Sequence, residues 1–250
     1  WPSTGNYGIG GAYVGPRMGY DSLVILPEEM SQERFDKIAW YGAKYVKTPG
    51  CESNVKEIYD KTHELEREKD TIIVNQFAEF GNYRFHWHVT GNSILALFDE
   101  LKSKGLGTRL AAFTSAMGSS GTIAAADRLR QVHPDVRIVG LEPVQCPTLY
   151  SNGFGGHDIQ GIGDKHVTWI HNTDNMDAIA CLDDWECKKG LQVIAEEPGR
   201  KALARRGVKT DLLEAMGPSF GISGICNVLG AIKTAKRYRM GRGDLLFTVA

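Results

Sequence analysis

Three short stretches of this chain combine glycine with serine, threonine or asparagine, residue types that bind anions through backbone and side-chain donors. They are STGNYG at residues 3–8, GSSGT at residues 118–122 and GPSFGISG at residues 217–224. Backbone amides at the start of a helix carry partial positive charge, so the first two stretches are candidate sites for a carboxylate or a phosphate.

The GSSGT stretch lies between a predicted strand at 109–113 and a predicted helix at 122–133. It predicts a phosphate site at a helix N-terminus. A purely structural turn is the alternative, and the absence of a P-loop lysine disfavours ATP hydrolysis. The residues of this predicted site are Gly118, Ser119, Ser120, Gly121 and Thr122.

The STGNYG stretch is either a plain turn with a helix cap or a cradle for a carboxylate or phosphate. A dinucleotide fingerprint fails here, because Gly8 and Gly10 fit its spacing but Tyr13 stands at the third glycine position.

The third stretch formally matches the G-x-S-x-G nucleophile elbow around Ser219. That elbow needs a preceding strand and a later histidine. The preceding DLLEAM is helix-like and the last histidine is His171, so a hydrolase is not predicted. Ser223 is instead a candidate helix cap.

His86 and His88 have no further ligands at metal spacing, so no metal site is predicted. The HWH run is interpreted as an extended segment with alternating side chains.

Composition limits the class of protein and of partner. The 250 residues carry 29 Lys+Arg and 30 Asp+Glu, and 42% are hydrophobic, which is typical of a globular chain. A formal net charge of -1 without basic blocks argues against nucleic acid and anionic membranes as partners. No apolar stretch is long enough for a membrane span, and five scattered cysteines suggest a reducing, cytoplasmic location.

Short β-rich runs alternate with helical patterns, which predicts an α/β fold with a mostly parallel sheet. The predicted strands are 22–26, 44–47, 71–74, 109–113, 137–141 and 245–250. The predicted helices are 31–40, 54–69, one around residues 94–101, 122–133, 185–196 and 223–239. The glycine-rich segment 142–173 is predicted to be irregular and functional or mobile.

In their order along the chain, these motifs resemble the cysteine synthase and cystathionine β-synthase group of fold-type II pyridoxal phosphate (PLP) enzymes. STGNYG resembles the substrate loop T-S-G-N-T-G, GSSGT the phosphate cup G-T-G-G-T, and IQGIG at 159–163 the family's own I-Q-G-I-G. The run LVILPEEMSQERF, followed by YGAKYV, resembles the family's M-P-x-x-M-S-x-E-R with its later G-A. The tripeptide LEP resembles V-E-P. The run GISG before AIKTAK resembles G-I-S-S-G before A-I-K.

The resemblance implies roles for particular residues. Gly118 to Thr122 would hold the cofactor phosphate, Asn6 the ring hydroxyl, and Ser223, rather than Ser219, the pyridine nitrogen. The substrate carboxylate would be bound by Ser3, Thr4, Gly5 and Gln76.

The resemblance also implies a two-domain, three-layer αβα fold of the tryptophan synthase β type, with a smaller domain at 1–88, a larger one at 89–250 and PLP between them. The implied reaction is β-elimination or β-replacement on an L-amino acid such as cysteine or O-acetylserine, by a homodimer. Tyr7, Ser120 and the run AEFGNYRFH depart from the family pattern, mostly on the substrate side, and favour the desulfhydrase-like branch.

The family's Schiff-base lysine precedes the asparagine loop, and no lysine of this chain lies in that motif. We therefore expect the lysine upstream of Trp1, and because the chain also stops on a predicted core strand, we expect it to be truncated at both ends. Two alternatives stay open at this point: a catalytically silent subunit with the same fold, and a nucleotide-binding α/β domain that uses GSSGT.

Overall fold

The computed structural model describes residues 1–51 and 54–250, which fold into helices and parallel strands arranged as two separate sheets. The strands are β1 (Leu23–Pro27), β2 (Lys44–Thr48), β3 (Arg109–Ala116), β4 (Arg137–Pro143), β5 (Ala178–Leu182) and β6 (Asp244–Phe247). The helices are α1 (Asn6–Arg17), α2 (Gln32–Trp40), α3 (Val55–Leu65), α4 (Phe80–Phe85), α5 (Gly91–Ser103), α6 (Ala125–Val132), α7 (Thr148–Ser151), α8 (Asp184–Ala195), α9 (Glu197–Arg205), α10 (Thr210–Ser219) and α11 (Ile222–Arg237).

The smaller sheet pairs β1 with β2 in parallel. Successive side chains of a strand point to opposite faces. Val24 and Leu26 therefore join a core with α1 and α2, whereas Ile25 joins a second core with α3 and Phe77. Helices thus cover both faces of this sheet.

The larger sheet has the order β5-β4-β3-β6, and all of its neighbouring strands run parallel. Ile138 of β4 faces the core formed with α5 and α6, and the next residue, Val139, faces the core formed with α8 and α11. This arrangement gives three layers and confirms the predicted α/β class with parallel sheets.

The carboxyl end of β3 is the place where the topology opens a crevice. The chain passes from β3 to β4 on one side, and β6 later pairs with the other side of β3. Ligands of open α/β sheets bind where the strand order reverses in this way, beyond the carboxyl ends of the strands. The loop that follows β3 contains GSSGT.

Two sequence predictions are wrong in the first third of the chain. Residues 71–74 form no strand. The edge of β1 opposite β2 is taken by the first residues of the chain, because Ile25 N donates to Trp1 O and Ser3 N donates to Ile25 O. The helix predicted for 54–69 ends at Leu65.

The run around His86 and His88 is also not extended. It forms a π-helical turn, His86–Thr90, between α4 and α5. The division of the chain near residue 88 stays a prediction, and it falls inside this helical run.

Among the described residues, no single helix is both long and apolar enough to cross a bilayer. Of the described helices, only α10 and α11 taken together are long and apolar enough, and these two helices are bent by 118° relative to each other.

Candidate active site

A cavity of about 400 Å³ lies at the carboxyl end of β3 and is lined by residues from both halves of the chain. Its volume is within the range that binds small molecules and cofactors. The wall consists of residues 4–7, Gln76, Asn82, His86, 115–116, 118–122, 161–162, 223–224, Asn227 and 249–250.

The loop before α1 is organised by the buried side chain of Ser3. Ser3 Oγ accepts hydrogen bonds from the amides of Gly5 and Gly8, each at 2.9 Å, and donates to Gly5 O at 3.1 Å. The Ser3 hydroxyl therefore supports the loop from behind. Thr4, Gly5 and Asn6 form the surface that faces the cavity.

Arg34 of α2 holds the same loop from its outer side. Its Nη1 atom donates to Thr4 O at 3.1 Å, and a Cβ atom added at Gly5 would lie 2.7 Å from that nitrogen. Gly5 is thus needed for a close approach, since a larger residue would displace the guanidinium.

The GSSGT loop lies between β3 and α6, as predicted, but it enters α6 through a short 3₁₀ turn, Thr122–Ala124, that was not predicted. Met117 N donates to Leu141 O of β4, and Gly163 N donates to Met117 O at 2.7 Å, so β4 and the segment around Gly163 fix the residue that precedes this loop. Within the described part of the chain, the backbone amides of residues 118–122 donate to no carbonyl. They border the cavity and are available to an anion.

Asn82 closes the other side of this loop. Its Nδ2 atom donates to Ser119 Oγ at 3.0 Å, and a Cβ atom at Gly121 would overlap its side-chain amide. The absence of a side chain at Gly121 lets Asn82 approach the loop.

Ser223 and Asn227 lie one helical turn apart on α11 and face the cavity together. Asn227 Oδ1 accepts from Ala116 N at 2.7 Å, and its Nδ2 donates to Val249 O at 2.7 Å. The Asn227 side chain thus fixes the start of α11 against the end of β3 and the segment after β6.

Three further side chains of the cavity wall, those of Gln76, Tyr7 and His86, are polar or titratable. Gln76 is almost fully buried, and its Nε2 donates to Pro2 O at 3.3 Å. Burial, helped by the Glu79 charge, raises the pKa of Tyr7 to about 12, so its phenol stays protonated. Burial lowers the pKa of His86, whose Nδ1 lies 2.9 Å from Thr90 Oγ1, so this ring is neutral at pH 7.

The structure brings nearly all residues of the sequence-predicted site to this one cavity. Ser3 is the exception, because its side chain is buried behind the loop. The roles assigned to these residues stay predictions. The residues that do line the wall are Thr4, Gly5, Asn6, Gln76, Gly118, Ser119, Ser120, Gly121, Thr122 and Ser223.

Sequence reasoning missed Asn227. It placed Tyr7 and the run that contains Asn82 and His86 mostly on the substrate side, but it assigned no role to these three side chains. Asn82 and His86 are four residues apart, a spacing that places two side chains on one helix face. The extended interpretation of HWH concealed this signal. Asn227 has the same spacing from Ser223 and could have been found in the same way.

Ser219 lies away from the cavity wall described here. It belongs to α10, where its hydroxyl donates to Ala215 O at 2.7 Å. A nucleophile elbow would present this serine on a turn between a strand and a helix. The rejection of a hydrolase therefore agrees with the local structure.

A family model described as pyridoxal-phosphate dependent enzyme matches residues 2–201 of the chain. The chain belongs to this family. The cysteine synthase of Staphylococcus aureus strain Mu50 is 30% identical over 249 residues, which cover 99% of this chain and 71% of that protein.

Two solved structures have the same fold. O-ureido-L-serine synthase matches with a TM-score of 0.80 and 26% identity over 99% of this chain and 70% of that one. A hydrogen sulfide-producing enzyme from Fusobacterium nucleatum matches with a TM-score of 0.76 and 25% identity over 99% and 67%. The tryptophan synthase β type of fold and the family resemblance inferred from the motifs are thereby confirmed.

The residues of the cavity fit the family's cofactor. The available amides of 118–122, with the hydroxyls of Ser119 and Thr122, form a cradle for a phosphate. The phosphate loop approaches the backbone of Ile162 closely at Gly118, where an added Cβ atom would lie 3.4 Å from Ile162 Cα. Asn6 and Ser223 supply polar groups elsewhere in the same wall, and a volume of about 400 Å³ accommodates PLP together with a small amino acid.

Proposed function

We propose that this protein catalyses PLP-dependent β-elimination or β-replacement on a small L-amino acid such as cysteine or O-acetylserine. One observation carries the proposal: the substrate-type loop before α1 and the phosphate-type loop after β3 border a single cavity. The cysteine synthase and the hydrogen sulfide-producing enzyme that match this chain support the substrate class.

PLP, when bound, supplies an aldehyde for the amino group and an electron-withdrawing ring that makes the Cα proton acidic and lets a β-substituent leave. In this proposal the amides of 118–122 bind the phosphate and Asn6 donates to the ring hydroxyl. Ser223 faces the pyridine nitrogen. A serine there, unlike a carboxylate, leaves that nitrogen largely unprotonated.

The substrate carboxylate would be bound by the loop before α1 and by Gln76. The Thr4 hydroxyl would bind it from the loop, and the Gln76 side chain, which is held beside that loop by its bond to Pro2 O, would bind it from the same side of the cavity. These donors fix the amino acid relative to the ring. Positioning of this kind, together with removal of water, accounts for much of the rate of such reactions.

The described wall of the cavity contains no lysine. In our proposal the lysine that carries the aldehyde and moves the Cα proton lies upstream of Trp1. The neutral His86 and the protonated Tyr7 then serve as hydrogen-bonding groups rather than as the base.

Within the family, we place the protein in the desulfhydrase-like branch. Tyr7 is bulkier than the threonine of the resembled loop, and AEFGNYRFH contributes Asn82 and His86 to the wall. The hydrogen sulfide-producing enzyme with the same fold supports this branch. We also propose that the protein is a cytoplasmic homodimer that binds neither nucleic acid nor membranes.

The test uses the full-length protein with PLP. Cysteine should yield hydrogen sulfide, pyruvate and ammonia by elimination, and O-acetylserine with sulfide should yield cysteine and acetate by replacement. Thr4→Ala should raise KM for the amino acid, by about tenfold for the loss of a hydrogen bond to a carboxylate. Thr108→Ala, an exposed site near β3, is the matched control.

Each rival has its own outcome. PLP binding without turnover of any amino acid would favour a catalytically silent subunit. Tight binding of ATP or NAD without PLP binding would favour the nucleotide-binding domain. Either result would overturn the proposal.

A further inference from the structure

Ser120 has an unusual backbone conformation in the middle of the phosphate loop. Its φ is +65°, in the left-handed region that glycine adopts freely and other residues rarely adopt. The resembled cup G-T-G-G-T has a glycine at this position. A serine here needs a compensating interaction to keep the loop in one conformation.

The Ser120 side chain has such an interaction. Its hydroxyl lies 2.9 Å from Thr168 Oγ1 and 3.5 Å from Gly118 O, so Thr168 is the nearer partner. Ser120 is 4% exposed and Thr168 is 2% exposed. Two hydroxyls buried this deeply destabilise the protein if either loses its partner.

Thr168 belongs to a short segment, residues 165–169, that we call the strap. Lys165 Nζ donates to Asn54 Oδ1 at 2.7 Å, and His166 Nε2 lies 3.3 Å from Tyr59 Oη. Trp169 Nε1 donates to Ala78 O at 2.7 Å, two residues beyond Gln76. The strap therefore fixes the segment around Gln76 and the phosphate loop at the same time.

We infer that Thr168 is a positioning residue for the phosphate of PLP, and that it acts through the hydroxyl of Ser120. The inference rests on the proposed function, because it needs PLP in this cavity. In this arrangement Thr168 holds Ser120 in its left-handed conformation, and the amides of the loop converge on the phosphate.

The test compares the affinities of the full-length protein for PLP and for pyridoxal, which lacks the phosphate. Thr168→Val leaves the Ser120 hydroxyl without its nearer partner and should weaken PLP binding by about tenfold. Pyridoxal binding should stay within about twofold. Thr168→Ser keeps the hydroxyl and should restore PLP affinity, and Thr173→Val, at an exposed site in the same irregular segment, is the control.

A double-mutant cycle with Ser120→Gly tests whether Thr168 acts on PLP binding through Ser120. Ser120→Gly/Thr168→Val removes both hydroxyls and allows the positive φ, so its PLP affinity should lie closer to the parent than that of Thr168→Val. The inference is overturned if Thr168→Val has no effect, if PLP and pyridoxal weaken in parallel, or if the two substitutions are additive. A parent protein that binds no PLP would instead contradict the proposed function.

Discussion

Asn82 Nδ2 donates a hydrogen bond to Ser119 Oγ at 3.0 Å and thereby joins α4 to the phosphate loop. The neighbouring Tyr83 donates from its hydroxyl to Asp127 of α6. Asn172 donates to the same carboxylate. The helix after Gln76 is therefore fastened to the phosphate side of the cavity at two successive residues.

Asn82→Ala should weaken PLP binding by about fivefold, because it removes one hydrogen bond that orients the Ser119 hydroxyl. Equilibrium titration with PLP measures this change. Asn92→Ala, an exposed site on α5, should leave the affinity unchanged. Equal losses in both variants would show that the Asn82 contact has no specific role.

Gly121→Ala should also weaken PLP binding, because the new Cβ would overlap the Asn82 amide. The φ of -68° at Gly121 permits alanine, so the expected effect is steric and not conformational. Asn82→Ala in the same molecule removes the overlap, so the pair should lose less PLP affinity than the sum of the two single losses.

Gly10→Ala is the matched control for that substitution. Its Cβ would meet no atom within 4 Å, and the site lies inside α1. It should leave PLP binding unchanged and raise the free energy of unfolding by about 1 kcal/mol, since alanine is the better helix former. Weaker PLP binding in Gly10→Ala would contradict the steric explanation for Gly121.

Arg34→Met should raise KM for the amino acid by about tenfold, because the loop that carries Thr4 and Gly5 loses its donor on the outer side. PLP affinity should change less, because Arg34 does not hold the phosphate loop, and Asn6 is the one residue of the perturbed loop that our proposal assigns to PLP. Steady-state kinetics and PLP titration separate the two effects. Lys37→Met is the control, because it removes an equal charge from an exposed site on α2. A similar rise in KM in that variant would show that the Arg34 effect comes from the change in net charge and not from the loop.

Stability should fall when the pH drops below the ordinary histidine pKa. Burial lowers the pKa of His86, His166 and His171, so below a pH of about 6.5 the unfolded chain binds more protons than the folded protein. The free energy of unfolding is then highest above that pH and decreases as the pH falls towards the folded pKa values. Urea denaturation from pH 8 to pH 5 measures this slope.

His171→Gln should make that slope shallower. Burial raises the pKa of Glu142, which acts in the opposite sense in the parent and in the variant alike, so their difference isolates the histidine. An equal slope in the two proteins would mean that His171 titrates alike in the folded and unfolded chains.

Hydrophobic patterning predicted much of the fold because the strands of the larger sheet are buried on both faces. Ile138, Val139 and Leu141 of β4 form a nearly continuous apolar run, which is typical of a parallel strand covered by helices on both faces. Residues 71–74 have equally strong β-forming side chains and form no strand. The long-range pairing of β1 with the first residues of the chain decides that outcome, and no local pattern reveals it.

The site was predictable where function depends on the backbone of glycine-rich loops, as at Gly118 and Gly121. It was not predictable where it depends on side chains brought from a distance. Thr168 is 48 residues from Ser120 along the chain. Its pairing with Ser120 follows from the path of an irregular segment that has no sequence periodicity.

The most direct test of the account is borohydride reduction of the full-length protein in the presence of PLP, followed by peptide mapping of pyridoxyl-lysine. We predict one pyridoxyl-lysine, in a peptide upstream of Trp1. Failure to form any pyridoxyl-lysine would contradict PLP chemistry in this cavity.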